Sequence, residues 1–125
     1  MKIAVTIVRV LLGLLFLFSS VSYFLNLFPE PELSGDLKTF NEGIKAAGYL
    51  LPLIKGIELV CGLAFIIGRF VPLATVIIFP IAVNILAVHI SIAPEGLPVA
   101  LFVILATLFI AYYNRNHYRE LFAVK

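Results

Sequence analysis

Four stretches of the chain are each long and apolar enough to cross a lipid bilayer. A membrane-spanning helix needs about 20 predominantly apolar residues, and the four stretches cover approximately residues 3–28, 49–67, 70–92 and 97–113. Charged residues make up only 13% of the chain and hydrophobic residues 62%, whereas soluble domains are about 25% charged. The sequence therefore predicts an all-α integral membrane protein, a four-helix transmembrane bundle that forms one domain over residues 1–125.

The beginning of the chain allows a second interpretation. Lys2 and Arg9 precede a leucine-rich run that is followed by "SSVS", and this order also occurs in secretory signal peptides. The apolar run continues to Phe28, however, which favours a span. We therefore expect this segment to remain in the membrane as the first helix.

The basic residues predict the orientation of the spans. Lys and Arg are enriched in the cytoplasmic loops of membrane proteins. Six of them lie at the start of span one, between spans two and three, and after span four: Lys2, Arg9, Arg69, Arg115, Arg119 and Lys125. Lys38 and Lys45 lie in the long loop between spans one and two. The other two loops are acidic on balance, with Glu30, Glu32, Asp36, Glu42 and Glu95. Both termini are therefore predicted to be cytoplasmic.

The long loop at residues 29–48 has a helical pattern of its own. Ser34 is a suitable N-cap and Gly48 a suitable end, and four apolar residues recur between them at helical spacing: Leu37, Phe40, Ile44 and Ala47. We expect a short amphipathic helix that lies on the outer membrane surface or folds over the mouth of the bundle.

The second span, "YLLPLIKGIELVCGLAFIIG", carries Lys55 and Glu58 within it. A charge at the centre of a membrane helix costs about 2.5–3.5 kcal/mol, so such residues usually face the bundle interior. Lys55 could extend its long stem towards the outer interface, but Glu58 is too short for this. The spacing of three places both residues on one helix face. The pair either stabilises the packing of the bundle or forms part of a polar pocket that binds a ligand or relays protons.

Three further polar residues are predicted to lie at or near the depth of this pair in the membrane. With a rise of about 1.5 Å per residue, Lys55 lies roughly 9 Å and Glu58 roughly 13 Å below the outer boundary. Asn84 falls at the depth of Lys55, His89 lies nearer the outer mouth, and Tyr23 lies in the outer half of span one. We predict that these five residues bind a ligand. Asn84 could instead bond between helices, and His89 could be an interface residue.

Other kinds of site are not indicated. His89, His117, Glu58 and Cys61 lie at different depths, so no metal site is expected. The single Cys61 excludes an internal disulfide and a CxxC redox pair. No catalytic residue is predicted, because no nucleophile accompanies a base and an orienting group. The net charge of +2 is small and scattered, which does not suggest nucleic acid as a partner.

Several segments resemble the DoxX family of small four-helix membrane proteins. The most specific is the K-x-x-E-L-x-x-G pattern at residues 55–62, followed by a short basic loop. The segments "RVLLGLLFLFSS", "PIAVNILAVH" and "YYNRNHYRELF" resemble the family's first helix, third helix and tail. Many members carry a Lys near the end of the first helix, where this chain has Tyr23. The resemblance implies a multi-pass protein of a bacterial or archaeal cytoplasmic (inner) membrane.

The resemblance also implies a function. The family is named for a subunit associated with a terminal quinol oxidase, and related proteins belong to thiosulfate:quinone oxidoreductases. We therefore expect an accessory subunit of membrane redox metabolism that binds a quinone or another lipophilic molecule in an outer-leaflet polar pocket. No intrinsic cofactor is expected, and the protein is not expected to be an enzyme alone, since electrons would come from a partner subunit.

Four residues of the predicted pocket have expected roles. Lys55 or His89 would donate to a ligand carbonyl, Glu58 would orient or neutralise Lys55, and Asn84 would complete the hydrogen bonding. Two alternatives remain. One is a non-catalytic scaffold or assembly factor, and the other is a small-solute carrier that works as a homo-oligomer.

Overall fold

The computed structural model of the protein describes residues 2–29 and 32–124, and every regular element in these ranges is helical. Four helical segments are long and apolar enough to cross a membrane, which confirms the predicted all-α, four-span architecture. The α-helices are α1 (Lys2–Leu25), α2 (Gly35–Ala46), α3 (Leu50–Ile67), α4 (Val71–Ser91) and α5 (Leu97–Tyr113). A 3₁₀ turn, Pro94–Gly96, leads into α5.

The first helix ends at Leu25, whereas the apolar run that predicted it continues to Phe28. Asn26 adopts a left-handed conformation, with φ of 52°. Its amide and that of the next residue donate to the carbonyls of Tyr23 and Ser22, the bonding pattern of a Schellman motif. Asparagine tolerates this conformation better than most residues, so the helix stops although the apolar run does not.

The predicted amphipathic helix in the long loop is confirmed as α2. Ser34 precedes it, although its side chain makes no capping hydrogen bond, and Gly48 follows it with φ of 78°. No residue of α2 is buried, and the helix packs against α3. Glu30 and Lys125, which contribute to the predicted charge pattern, lie outside the described residues.

The closest contact between helices joins α1 and α3 through two glycines. A Cβ added to Gly13 would lie 2.8 Å from the carbonyl oxygen of Gly62, and one added to Gly62 would lie 3.0 Å from that of Gly13. Phe16 and Phe65 are fully buried beside this contact. Small residues allow membrane helices to approach closely, and the two glycines do so here.

A charged side chain supports the same contact near the end of α3. The guanidinium of Arg9 donates to the carbonyl of Phe65, one of the last carbonyls of a helix, which lack partners within the helix. The helix then ends at Gly68, whose φ of 85° is left-handed. A Cβ at Gly68 would also collide with the Arg9 guanidinium, so this turn has two reasons to contain glycine.

The end of the chain folds back onto the start of α4. Residues Arg115–Phe122 form a 3₁₀ helix, and the hydroxyl of Tyr118 donates to the Pro72 carbonyl over 2.9 Å. Burial raises the pKa of the Tyr118 hydroxyl further above its ordinary value. Leu121 and Phe122 stay largely exposed.

Replacing Gly13 with alanine should destabilise the bundle, because the new methyl group would meet α3 backbone and side-chain atoms at 2.8–3.0 Å. Overpacking of this kind costs about 1–3 kcal/mol. Gly56→Ala is the matched control, since its added Cβ would have no atom within 4 Å. Thermal unfolding in one detergent should show a lower melting temperature for Gly13→Ala and an unchanged or higher one for Gly56→Ala. Equal melting temperatures would contradict the glycine contact.

Candidate functional site

A cavity of about 730 Å³ lies between the five α-helices, within the range of about 300–1,000 Å³ typical of ligand sites. Apolar side chains from all five helices form most of its wall. Its polar lining comes from six residues on four helices: Ser19, Asn41, Lys55, Glu58, Asn84 and His89. An apolar wall with a few polar groups suits a lipophilic molecule that has a polar end.

Four of the five predicted ligand-binding residues line this cavity: Lys55, Glu58, Asn84 and His89. The fifth, Tyr23, lines a separate cavity of about 500 Å³ between α1, α2 and the start of α3. Ile44 and Leu51 belong to the walls of both cavities. Similar depth therefore does not bring Tyr23 to the other four residues, because α2 and the start of α3 lie between them.

The two charges of α3 are close to each other, as their spacing predicts. The Nζ atom of Lys55 lies 3.2 Å from Oε2 of Glu58, and the Glu58 side chain is only 5% exposed. Lys55 also donates to the hydroxyl oxygen of Ser19 over 2.7 Å. The ammonium group therefore joins α3 to α1 as well as facing Glu58.

Two polar residues that line the cavity, Asn41 and Ser19, were not predicted. Ser19 is the partner of Lys55. It lies six residues after Gly13, and Lys55 lies seven residues before Gly62. In two helices that run in opposite directions and touch at these glycines, such positions meet at one level. The glycine contact was therefore the signal that could have identified Ser19 as the partner of Lys55.

One oxygen of Glu58 lacks a hydrogen bond. Oε2 is buried and accepts none from the part of the chain that the structure describes. Its nearest cation is the ammonium group of Lys55, which lies 3.2 Å away as an ion pair. Buried polar groups are nearly always hydrogen-bonded, and a carboxylate oxygen has two lone pairs to satisfy. This oxygen is the feature of the cavity that most strongly indicates a ligand or a bound water.

Asn84 offers a second unpaired group. Its side chain is exposed although it lies in the middle of a membrane-spanning helix. It makes no hydrogen bond to residues 2–29 or 32–124. An amide can both donate and accept, so Asn84 can bind either a hydroxyl or a carbonyl group in the cavity.

The hydrogen bonding of His89 differs from the donor role that was predicted for it. Its Nδ1 atom lies 2.7 Å from the carbonyl oxygen of Ile85. A carbonyl only accepts, so Nδ1 must carry the hydrogen. In a neutral ring the other nitrogen, Nε2, is then an acceptor, and it lies beside the backbone of Gly96. His89 could donate to a ligand through Nε2 only as a positively charged ring.

The sequence segments that form this cavity also match a known family. A family model described as DoxX matches residues 4–90, which include Lys55, Glu58, Asn84 and His89. The chain belongs to the DoxX family. Comparisons with curated proteins and with solved structures gave no match. Together with the four helices, the family shows that this DoxX protein is a multi-pass membrane protein.

Replacing Lys55 with methionine should lower the yield of folded protein, because Glu58 would lose its counter-charge and Ser19 its donor. Removing one partner of a buried ion pair costs about 3–5 kcal/mol. Adding Glu58→Gln should recover much of that loss, since it removes the unpaired charge. The measurement is the fraction of detergent-solubilised protein that elutes as a monodisperse peak. Glu95→Gln, on the exposed 3₁₀ turn, is the control. A double variant that folds no better than Lys55→Met would contradict the pairing.

Proposed function

We propose that this DoxX protein binds a lipophilic molecule with a polar head, of the quinone and quinol class, in the cavity between its five α-helices. It acts as an accessory subunit of membrane redox metabolism. The observation that carries the proposal is a largely apolar cavity of about 730 Å³ with a buried carboxylate oxygen that accepts no hydrogen bond from the described residues. The apolar wall accommodates a hydrocarbon body, and the polar residues accommodate one polar end.

The polar groups are suited to hold a ring that carries oxygen atoms. Lys55 has three N–H groups, of which one bonds to Ser19 and one faces Glu58. The third is available to a ligand oxygen. Asn84 faces the same cavity from α4. A ligand bound between these two residues would be held from opposite helices, which fixes the orientation of a flat ring.

The accessory role follows from the absence of redox side chains in the sequence. Cys61 is the single cysteine of the chain, so no pair of thiols can exchange electrons with a bound quinone. Electrons would therefore come from, or go to, a partner subunit. In this role the DoxX protein binds and orients the ligand, and the partner carries out the electron transfer.

A second candidate function is a scaffold, and one contact favours it. Lys55 bonds to Ser19 on α1 as well as facing Glu58 on its own helix. This arrangement links two spans and would stabilise the bundle without any ligand. The two functions differ in what they require of Asn84, because Asn84 takes no part in that link.

The first test is mass spectrometry of an organic extract from gently purified protein. We expect a quinone, a quinol or another lipophile in near-stoichiometric amount. Asn84→Leu should greatly reduce the amount retained, because it removes a polar group from the cavity without changing the charge. Val83→Leu is the matched control, since the neighbouring Val83 is exposed and does not line the cavity.

An unrelated membrane protein from the same cells shows how much lipophile is carried over with detergent. Retention above that level by the wild type and Val83→Leu, with loss in a folded Asn84→Leu, would support binding. Phospholipid alone in every sample would contradict the proposal and favour the scaffold.

We also propose that both termini face the cytoplasm across the inner membrane, so that the cavity opens towards the outer leaflet. The distribution of Lys and Arg supports this orientation. Because Cys61 is buried, a Cys61→Ser background can carry single cysteines at Ser34 and at Val124. In intact cells, a membrane-impermeant maleimide should label Ser34→Cys but not Val124→Cys. The reverse pattern would overturn the orientation, and labelling of both in lysed cells is the control.

A further inference from the structure

We infer that the cavity selects a ligand whose polar head donates a hydrogen bond, such as an alcohol, a phenol or a hydroquinone. It should bind less well a head that only accepts, such as a quinone carbonyl or an ether. This inference rests on the proposed function and adds the chemical form of the ligand. The deciding feature is the kind of hydrogen-bonding group that remains unpaired and buried in the cavity.

The buried, unpaired group is an acceptor. Oε2 of Glu58 is buried and accepts no hydrogen bond from the described residues, and Glu58 as a whole is only 4% exposed. The main donor of the cavity, the ammonium group of Lys55, already has partners within the protein. It already bonds to Ser19 at 2.7 Å and pairs with Glu58 at 3.2 Å. Either kind of head can accept the third N–H of Lys55. Only a head with a hydroxyl hydrogen can also donate to Oε2 of Glu58, whereas a carbonyl leaves this oxygen without a hydrogen bond.

The neighbouring polar groups do not reverse this preference. The hydroxyl of Ser19 and the amide of Asn84 can each donate or accept, so neither discriminates between the two kinds of head. The neutral His89 ring is a further acceptor, because its Nδ1 hydrogen bonds to Ile85. As the ionised partner of the Lys55 ammonium, Glu58 can only accept. It is also the most deeply buried polar group of the cavity, so it decides the selectivity.

The expected size of the preference follows from the charge of Glu58. A hydrogen bond to a charged group strengthens binding by a factor of about ten or more. We therefore expect the donating ligand to bind at least about tenfold more tightly than an isosteric ligand that cannot donate.

The experiment compares three forms of one molecule with the full-length protein in lipid nanodiscs. The probes are a short-chain alkyl benzohydroquinone, the corresponding quinone, and the dimethyl ether of the hydroquinone, which cannot donate. Equilibrium dialysis under anaerobic conditions, with empty nanodiscs to correct for partition into lipid, gives the affinity of each probe. The expected order places the hydroquinone first, with the quinone and the ether at least about tenfold weaker.

A variant links this preference to the carboxylate. Gln at position 58 can donate as well as accept, so Glu58→Gln should reduce the ratio of hydroquinone to quinone affinity to about one or two. Glu95→Gln, outside the cavity, should leave the ratio unchanged. The wild-type comparison of the three probes needs no mutation, so it decides the inference even if Glu58→Gln does not fold.

The outcomes separate this inference from the proposed function. Equal binding of the hydroquinone and the quinone would overturn the selectivity and leave the proposed function standing, with a bound water as the partner of Glu58. Tighter binding of the quinone would also overturn the selectivity. Failure of all three probes to bind above empty nanodiscs would overturn both.

Discussion

The close approach of α1 and α3 is the contact on which the rest of the bundle depends. In a bilayer, helices gain little from hydrophobic association, because lipid tails are as apolar as the side chains. Gly13 and Gly62 let the two backbones meet instead, and tight packing on both sides of the glycines holds them together. Since the helices run in opposite directions, this one contact fixes which residues face each other along their whole length.

Two polar contacts follow from that register. Towards one end, Arg9 reaches the Phe65 carbonyl in the last turn of α3. Towards the other, Ser19 receives a hydrogen bond from Lys55. The second contact has a consequence for Glu58, because the ammonium group is shared between two helices. Lys55 compensates the charge of the carboxylate but does not satisfy all of its lone pairs. The position of Lys55 between α1 and α3 therefore explains both the link between these helices and the oxygen of Glu58 that accepts no hydrogen bond from the described residues.

The features that could be predicted from the sequence are those that depend on local pattern. Apolar length defined the spans, periodicity defined α2, and a spacing of three brought Lys55 beside Glu58. The misses concern relations between helices. Tyr23 was grouped with the pocket by depth, but depth does not report which cavity a side chain faces. To predict Ser19 as a site residue, one would have to know how α1 and α3 are aligned, and the sequence of one helix does not contain this alignment.

The end of α1 shows a different limit. Hydropathy measures the preference for lipid, and this preference continues to Phe28. The helix stops earlier because of the backbone conformation of Asn26. A polar residue that accepts a left-handed conformation ends a helix even when apolar residues follow it. The apolar segment is therefore longer than the helix that it forms.

The wall that α2 contributes to the large cavity has a property that the other walls lack. It includes Phe40, Asn41 and Ile44 of α2, a helix in which no residue is buried. The hydrophobic core is formed by the four long helices without any contribution from α2. Swinging α2 aside would therefore uncover the cavity while leaving the core packed. Access to the cavity past α2 therefore does not require the four spans to separate.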